Sequence, residues 1–73
     1  MMDYIVKIIY DRQALVWVAS NDQLGLVLEN KSYECLVREI YVAAQELIML
    51  NHMPKGRVLI DNIWTNSNKL ELK

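Results

Sequence analysis

His52 is the single histidine of the chain and Cys35 its single cysteine. A histidine can serve as a general base near neutral pH, but the sequence sets no Ser or Cys nucleophile beside it. Its place just past a helical segment reads instead as a favourable charge near a helix C-terminus. Cys35 falls in a first helical turn, where a thiolate could be stabilised. A lone helical cysteine reads more simply as a small buried hydrophobe. Asp3, Asp11, Asp22 and Asp61 lack the spacing of a calcium loop, and zinc would need a second His or Cys. Met49, Leu50 and Met53 read as a helix end packing down rather than as a ligand box. There is no glycine-rich phosphate loop. Two Trp and four Tyr interleave with too few basic residues for a base-stacking platform. The residues therefore point to a non-enzymatic protein with no cofactor and no metal.

Composition and charge narrow the class further. The chain has 73 residues, enough for one small domain. With Tyr set aside and Gly counted, about half of the residues are apolar, slightly above the usual ~45–50% of globular chains. A chain this short hides only about 60% of its unfolded surface, so part of that apolar share is expected to face a partner. The net charge of −1 and pI near 5.7 disfavour a phosphate-gripping domain, for which a pI above ~9 is usual. Charge is uneven. Residues 1–54 carry four basic and seven acidic side chains, and residues 55–73 four basic and two acidic. Such a surface steers toward a basic partner. One cysteine cannot form an internal disulfide, and Met1-Met2-Asp3-Tyr4 is not a basic leader. No apolar run approaches the ~20 residues of a membrane span. A cytoplasmic protein without a membrane segment is expected.

The elements that must position these residues follow from periodicity. Tyr4–Tyr10 is rich in β-branched and aromatic residues and predicts a strand. Asp11-Arg12-Gln13 is a polar break with an Asp suited to starting a turn. Leu15–Ala19 predicts a second strand and a hairpin with the first. Ser20–Gln23 reads as a loop, and Gly25 as a site for a bulge or a positive φ. Leu26–Glu29 is a shorter third strand. Ser32 is a favoured N-cap with Glu34 in the first turn. Tyr33, Leu36, Val37, Ile40, Ala44, Leu47 and Ile48 recur at helical spacing and define one buried stripe. Asn51 is suited to a C-cap, and Pro54 cannot continue the helix. Arg57–Trp64 is a fourth strand. Residues 66–73 hold a turn and a short extra strand or tail.

The order predicts an α+β fold: an antiparallel sheet in β-β-β-α-β order with one helix packed on one face. One helix cannot cover both faces of such a sheet. Strand side chains alternate between faces. Val6 and Ile8 with Tyr4 and Tyr10, Leu26 with Leu28, and Val58 with Ile60 are expected beneath the helix. Ile5, Lys7 and Ile9, Val27 with Glu29, and Leu59, Asp61 and Ile63 are expected on the open face. An even hairpin loop would turn Trp17 inward and an odd one outward. An open face with Ile5, Ile9, Leu59 and Ile63 around Lys7 and Asp61 is more apolar than solvation needs, and such patches mark protein contact.

The run Val16-Trp17-Val18-Ala19-Ser20-Asn21-Asp22-Gln23-Leu24-Gly25-Leu26-Val27-Leu28-Glu29, followed by Ser32, Glu34 and Leu36, resembles the signature of the HicB-like antitoxin superfamily. Many members of that superfamily place Pro just before the glycine, where this chain has Leu24. The resemblance spans about residues 4–65. It implies a partial RNase H-like fold, with strand four beside strand one and Ile5, Ile9, Leu59 and Ile63 brought together. It implies no enzyme activity. It also implies binding of a small basic HicA-type RNA-cleaving toxin, and dimerisation. The DNA-binding domain that follows in full-length members has no counterpart in the few residues after strand four, so operator binding is not expected. The expected partner-binding residues are Ile5, Lys7, Ile9, Asp22, Leu59, Asp61 and Ile63. The alternative is a homodimeric adaptor or inhibitor module acting on another bacterial or phage effector.

Overall fold

The computed structural model describes residues 2–62. Its elements are β1 (Met2–Asp11), β2 (Val16–Asn21), β3 (Leu26–Asn30), α1 (Tyr33–Leu50) and β4 (Gly56–Asn62). They form a four-stranded sheet in the order β3-β2-β1-β4, with α1 packed on one face. The α+β class and the element order are those expected from the sequence. The sheet is mixed rather than wholly antiparallel. β1–β2 and β2–β3 run antiparallel, while β4 runs parallel to β1. The reason is topological: α1 carries the chain from one edge of the sheet to the other, and the strand after such a crossover re-enters parallel to the strand before it.

The core lies between one sheet face and the helix. Tyr4, Val6, Ile8, Ala19, Leu24, Leu26, Leu36, Ile40, Ala44 and Ile48 are buried. Residues of β1 alternate strictly between buried and exposed from Asp3 to Ile9, so the predicted face assignment holds. The buried helical residues Leu36, Ile40, Ala44 and Ile48 repeat every four positions. The helix lies mainly over β3 and β2.

Local chemistry sets the connections. The Asp11 Oδ1 accepts the N–H groups of Gln13 and Ala14 at 3.0 and 3.1 Å, the Asx geometry that favours Asp at a turn start. The β1–β2 loop is four residues long, with Asp11 opposite Val16 and Tyr10 opposite Trp17. Its even length turns Trp17 inward, opposite Tyr10. Leu15 is therefore a turn residue with φ 59°, not a strand residue. β2 runs on through Ser20 and Asn21, which their composition suggests are loop. Gly25 has φ 65° in the β2–β3 turn, as its conformational freedom allows.

Ser32 caps α1, its Oγ accepting the Cys35 N–H at 3.3 Å. At the other end Asn51 is the C-cap. The His52 N–H donates to the Met49 carbonyl at 3.2 Å and the Met53 N–H to the Ile48 carbonyl at 2.9 Å. This is a Schellman motif, whose next residue must adopt the left-handed conformation, and His52 does so with φ 53°. Chain exit is fixed by Tyr4, whose buried hydroxyl donates to the Pro54 carbonyl. Gly56 then enters β4 opposite Met2, where any Cβ would collide with the Met2 carbonyl.

Candidate functional site

The face of the sheet away from α1 presents the residues singled out in the sequence. Ile5 and Ile9 are 48% and 47% exposed, and Leu59 38%. Lys7 and Asp61 are exposed beside them. The parallel register of β1 and β4 sets Asp3 against Arg57, Ile5 against Leu59 and Lys7 against Asp61. Three successive rows on this face thus read charged, apolar, charged. The Arg57 Nε donates to the Asp3 Oδ1 at 3.1 Å, and Nη2 to Oδ2 at 3.2 Å. This hydrogen-bonded pair, and then the Asp3 charge, raise the Arg57 pKa above its ordinary value. Toward β2 and β3 the rows continue as Lys7–Ser20–Val27 and Ile9–Val18–Glu29. Val27, 74% exposed, is the most exposed aliphatic of the sheet. Ile63 lies outside the described residues, as do Trp64 and residues 66–73.

Asp22 sits in the β2–β3 turn rather than on a strand. It borders a concavity of about 280 Å³ together with Ile5, Lys7, Ser20, Asn21 and Gln23. The turn is held there by Asn21, the one buried polar side chain among the described residues. Its Nδ2 donates to the Ile5 carbonyl at 2.7 Å, and its Oδ1 accepts the Leu24 N–H at 2.9 Å. Sequence composition makes Asn21 a loop residue and misses this role. The usable signal is an Asn directly before the Asp of a four-residue turn, a position where short amides bond locally to backbone.

A second surface feature lies at the β3 edge. Leu28, Val42 and Ala43 line a groove of about 380 Å³ between β3 and α1, with Arg38, Glu39 and Glu46 on its walls. The Asn30 Nδ2 donates to the Glu39 Oε1 at 3.1 Å across this edge. Glu29 of β3 falls in the open-face row of Ile9 and Val18, and Lys31 follows the strand, so the charges toward this edge are of both signs with carboxylates in excess.

The candidates for chemistry stay apart. Cys35 is exposed, contrary to the expectation of a buried hydrophobe, because it falls off the Leu36–Ile40–Ala44–Ile48 stripe. Met49 and Leu50 are 76% and 73% exposed for the same reason, and of the expected helix-end cluster only Met53 packs against the core. His52 is an exposed backbone cap. No three His, Cys, Asp or Glu side chains come together as a metal set among the described residues. No helix among them is long and apolar enough to cross a membrane.

Residues 3–70 match the model of a domain of unknown function, DUF1902. The chain belongs to the DUF1902 family. A solved structure is similar over most of its length: the hypothetical protein TTHA1013 from the extremely thermophilic bacterium Thermus thermophilus. The two chains are 28% identical, with a TM-score of 0.69, and the match covers 84% of this chain and 89% of the other. No curated protein matches the chain.

Proposed function

We propose that this DUF1902 domain is a non-enzymatic binding protein, an antitoxin of the HicB-like type or an orphan relative of one, acting in the cytoplasm. It binds a small basic HicA-type RNA-cleaving toxin and occludes the toxin's active surface. The observation that carries this reading is the uncovered sheet face. Among the described residues a single helix shields one side of the sheet, and Ile5, Ile9, Val27 and Leu59 are exposed on the other. Apolar patches rimmed by charge are characteristic of protein contact surfaces.

Two further features support a basic partner. The run from Val16 to Leu36 resembles the HicB-like signature. Asp22, Glu29, Glu39 and Glu46 outnumber Arg38 and Lys31 toward the β3 end of the sheet, an excess of negative charge that favours a positively charged partner. The contact is then built from Ile5, Lys7, Ile9, Asp22, Leu59 and Asp61, with these carboxylates as its steering rim. Inhibition is steric and electrostatic, without bond making or breaking, and it uses no cofactor.

The test is co-expression with the product of the adjacent gene. We expect that product to be small and basic, to co-purify, and to bind at about micromolar concentration or tighter. Binding should weaken as salt screens the rim charges. An adjacent product that is not basic, or that does not associate at that concentration, overturns the toxin reading.

A further inference from the structure

β3 stands at an edge of the sheet. Its antiparallel pairing with β2 engages the N–H and C=O groups on one side of the strand only. Those on the other side pair with no strand among the described residues. Aliphatic side chains flank this edge on both faces. Val27 is exposed on the open face. On the helix side, half-buried Leu28 floors the groove that Val42 and Ala43 of α1 complete. Val42 is 60% exposed. Asn30, the next residue of β3 on that side, hydrogen-bonds Glu39 of α1 and ties strand to helix at one end of the groove.

A helix on this edge, about 10–12 Å across with its side chains, would leave the free backbone groups of β3 unpaired. An extended segment lies about 4.8 Å beyond β3, hydrogen-bonds to those groups, and sends its side chains alternately to the two faces. One side chain then enters the groove against Leu28, Val42 and Ala43, where an aliphatic one fits. Its neighbours on either side fall on the open face beside Val27 and Glu29. An aliphatic side chain beside Val27 buries apolar surface, and a basic one beside Glu29 makes a cross-strand ion pair. The groove walls favour the same sign, with Glu39 and Glu46 against Arg38. β3 has five residues and no Pro, and Glu29 is its one charge. A short, charged edge resists indiscriminate pairing, so Glu29 selects segments with a basic residue at its position.

We propose that the β3 edge takes up an extended segment of another protein as an added strand. An aliphatic side chain of that segment lodges among Leu28, Val42 and Ala43, a second lies beside Val27, and a basic one pairs with Glu29. The site is the margin of the sheet rather than the centre of its open face. It goes beyond the antitoxin reading and does not rest on it.

Two acetylated, amidated peptides test it, Lys-Thr-Val-Leu-Lys-Thr-Lys and its reverse, which offer the same pattern in the two strand directions. Each is titrated into the isotope-labelled full chain and followed by amide NMR. One of the two should give saturable shifts at Val27–Asn30, Val42 and Ala43, with a Kd of about 0.1–1 mM, as for a short segment that must order on binding. Replacing the peptide's leucine with serine should weaken binding about tenfold. Of two variants N-methylated at adjacent backbone nitrogens, one should lose binding and the other keep it, because only alternate N–H groups point at β3. Glu29→Lys should weaken the peptide about fivefold and favour one with glutamate in place of the lysine beside leucine. The peptide variants leave the protein untouched, so they decide the matter even if Glu29→Lys misfolds. No saturable shift by either peptide up to about 5 mM, shifts centred on other residues, equal tolerance of both N-methyl groups, or a folded Glu29→Lys chain that still prefers lysine overturns the proposal. So does exchange protection of every β3 amide in the free chain, which would mean that the chain's own remaining residues or a second copy already cover the edge.

Discussion

The Asn21 side-chain amide donates to the Ile5 carbonyl at 2.7 Å, just beyond the point where the β1–β2 pairing ends at Lys7 and Ser20. A side chain thus continues the ladder where backbone pairing stops, and it ties the turn carrying Asp22 to the central strand. Removing one partner of a buried hydrogen bond leaves the other without solvent, which costs about 1–3 kcal/mol. We expect Asn21→Ala to lose stability in that range in urea unfolding. The β2–β3 turn should also lose its amide exchange protection at Leu24. Unchanged protection at Leu24 would show that the turn does not depend on Asn21.

The two faces of β1 should respond oppositely to the same kind of change. Ile8 is fully buried and Ile9 is 47% exposed. Ile8→Ala removes core volume and should cost about 2–5 kcal/mol. Ile9→Thr, on the open face, should stay within about 0.5 kcal/mol of the native chain and should weaken partner capture instead. Equal stability losses at both positions would mean that the open face is packed in the isolated chain.

His52 holds a left-handed conformation that a side chain makes unfavourable by about 1–2 kcal/mol. His52→Gly relieves this but gives the unfolded chain more freedom. The expected net gain is about 0.5–1 kcal/mol, read as a higher urea midpoint with an unchanged slope. A loss of stability would point to a contact of the imidazole that outweighs the backbone effect.

Cys35 is exposed in the folded chain. Native protein should therefore react with a thiol reagent such as dithiobisnitrobenzoate as fast as protein unfolded in urea, to within about tenfold. Protection by several orders of magnitude, as for a core thiol reached only through global unfolding, would contradict this exposure.

Much of this architecture is legible in the residues because period and chemistry agree. Tyr4–Tyr10 alternates so regularly that its faces can be assigned before its neighbours are known. Ser32 and Asn51 bracket the helix because their side chains suit its ends. Trp17 is not assignable from sequence, since its face depends on the parity of a loop whose ends Asp11 and Leu15 blur. Leu15 fits a strand by type, and only the closed turn forces its positive φ. Cys35, Met49 and Leu50 show the reverse error. Hydrophobic character suggests burial, although none of the three lies on the stripe that the spacing itself defines, and geometry prevails. The open-face cluster of Ile5, Lys7, Leu59 and Asp61 requires β4 beside β1. The residues alone do not determine that neighbour, but the HicB-like resemblance implies it. Asn21 is hidden because a short polar residue before an Asp looks the same whether its amide faces water or a backbone carbonyl.

The parallel pairing of β1 with β4 has a consequence for the time course of folding. The ion pair between Asp3 and Arg57 joins positions 54 residues apart, and no shorter-range contact can substitute for it. On the ribosome, β1 and β2 can form a hairpin as soon as both have emerged. The other side of β1 must wait until β3, the helix and β4 have followed. For that interval β1, with Ile5, Val6, Ile8 and Ile9, is itself an unguarded edge. Contacts of such long sequence separation slow folding, and exposed strand edges in partly made chains invite aggregation. Chains truncated before Gly56 should therefore aggregate more readily than the full chain at equal concentration.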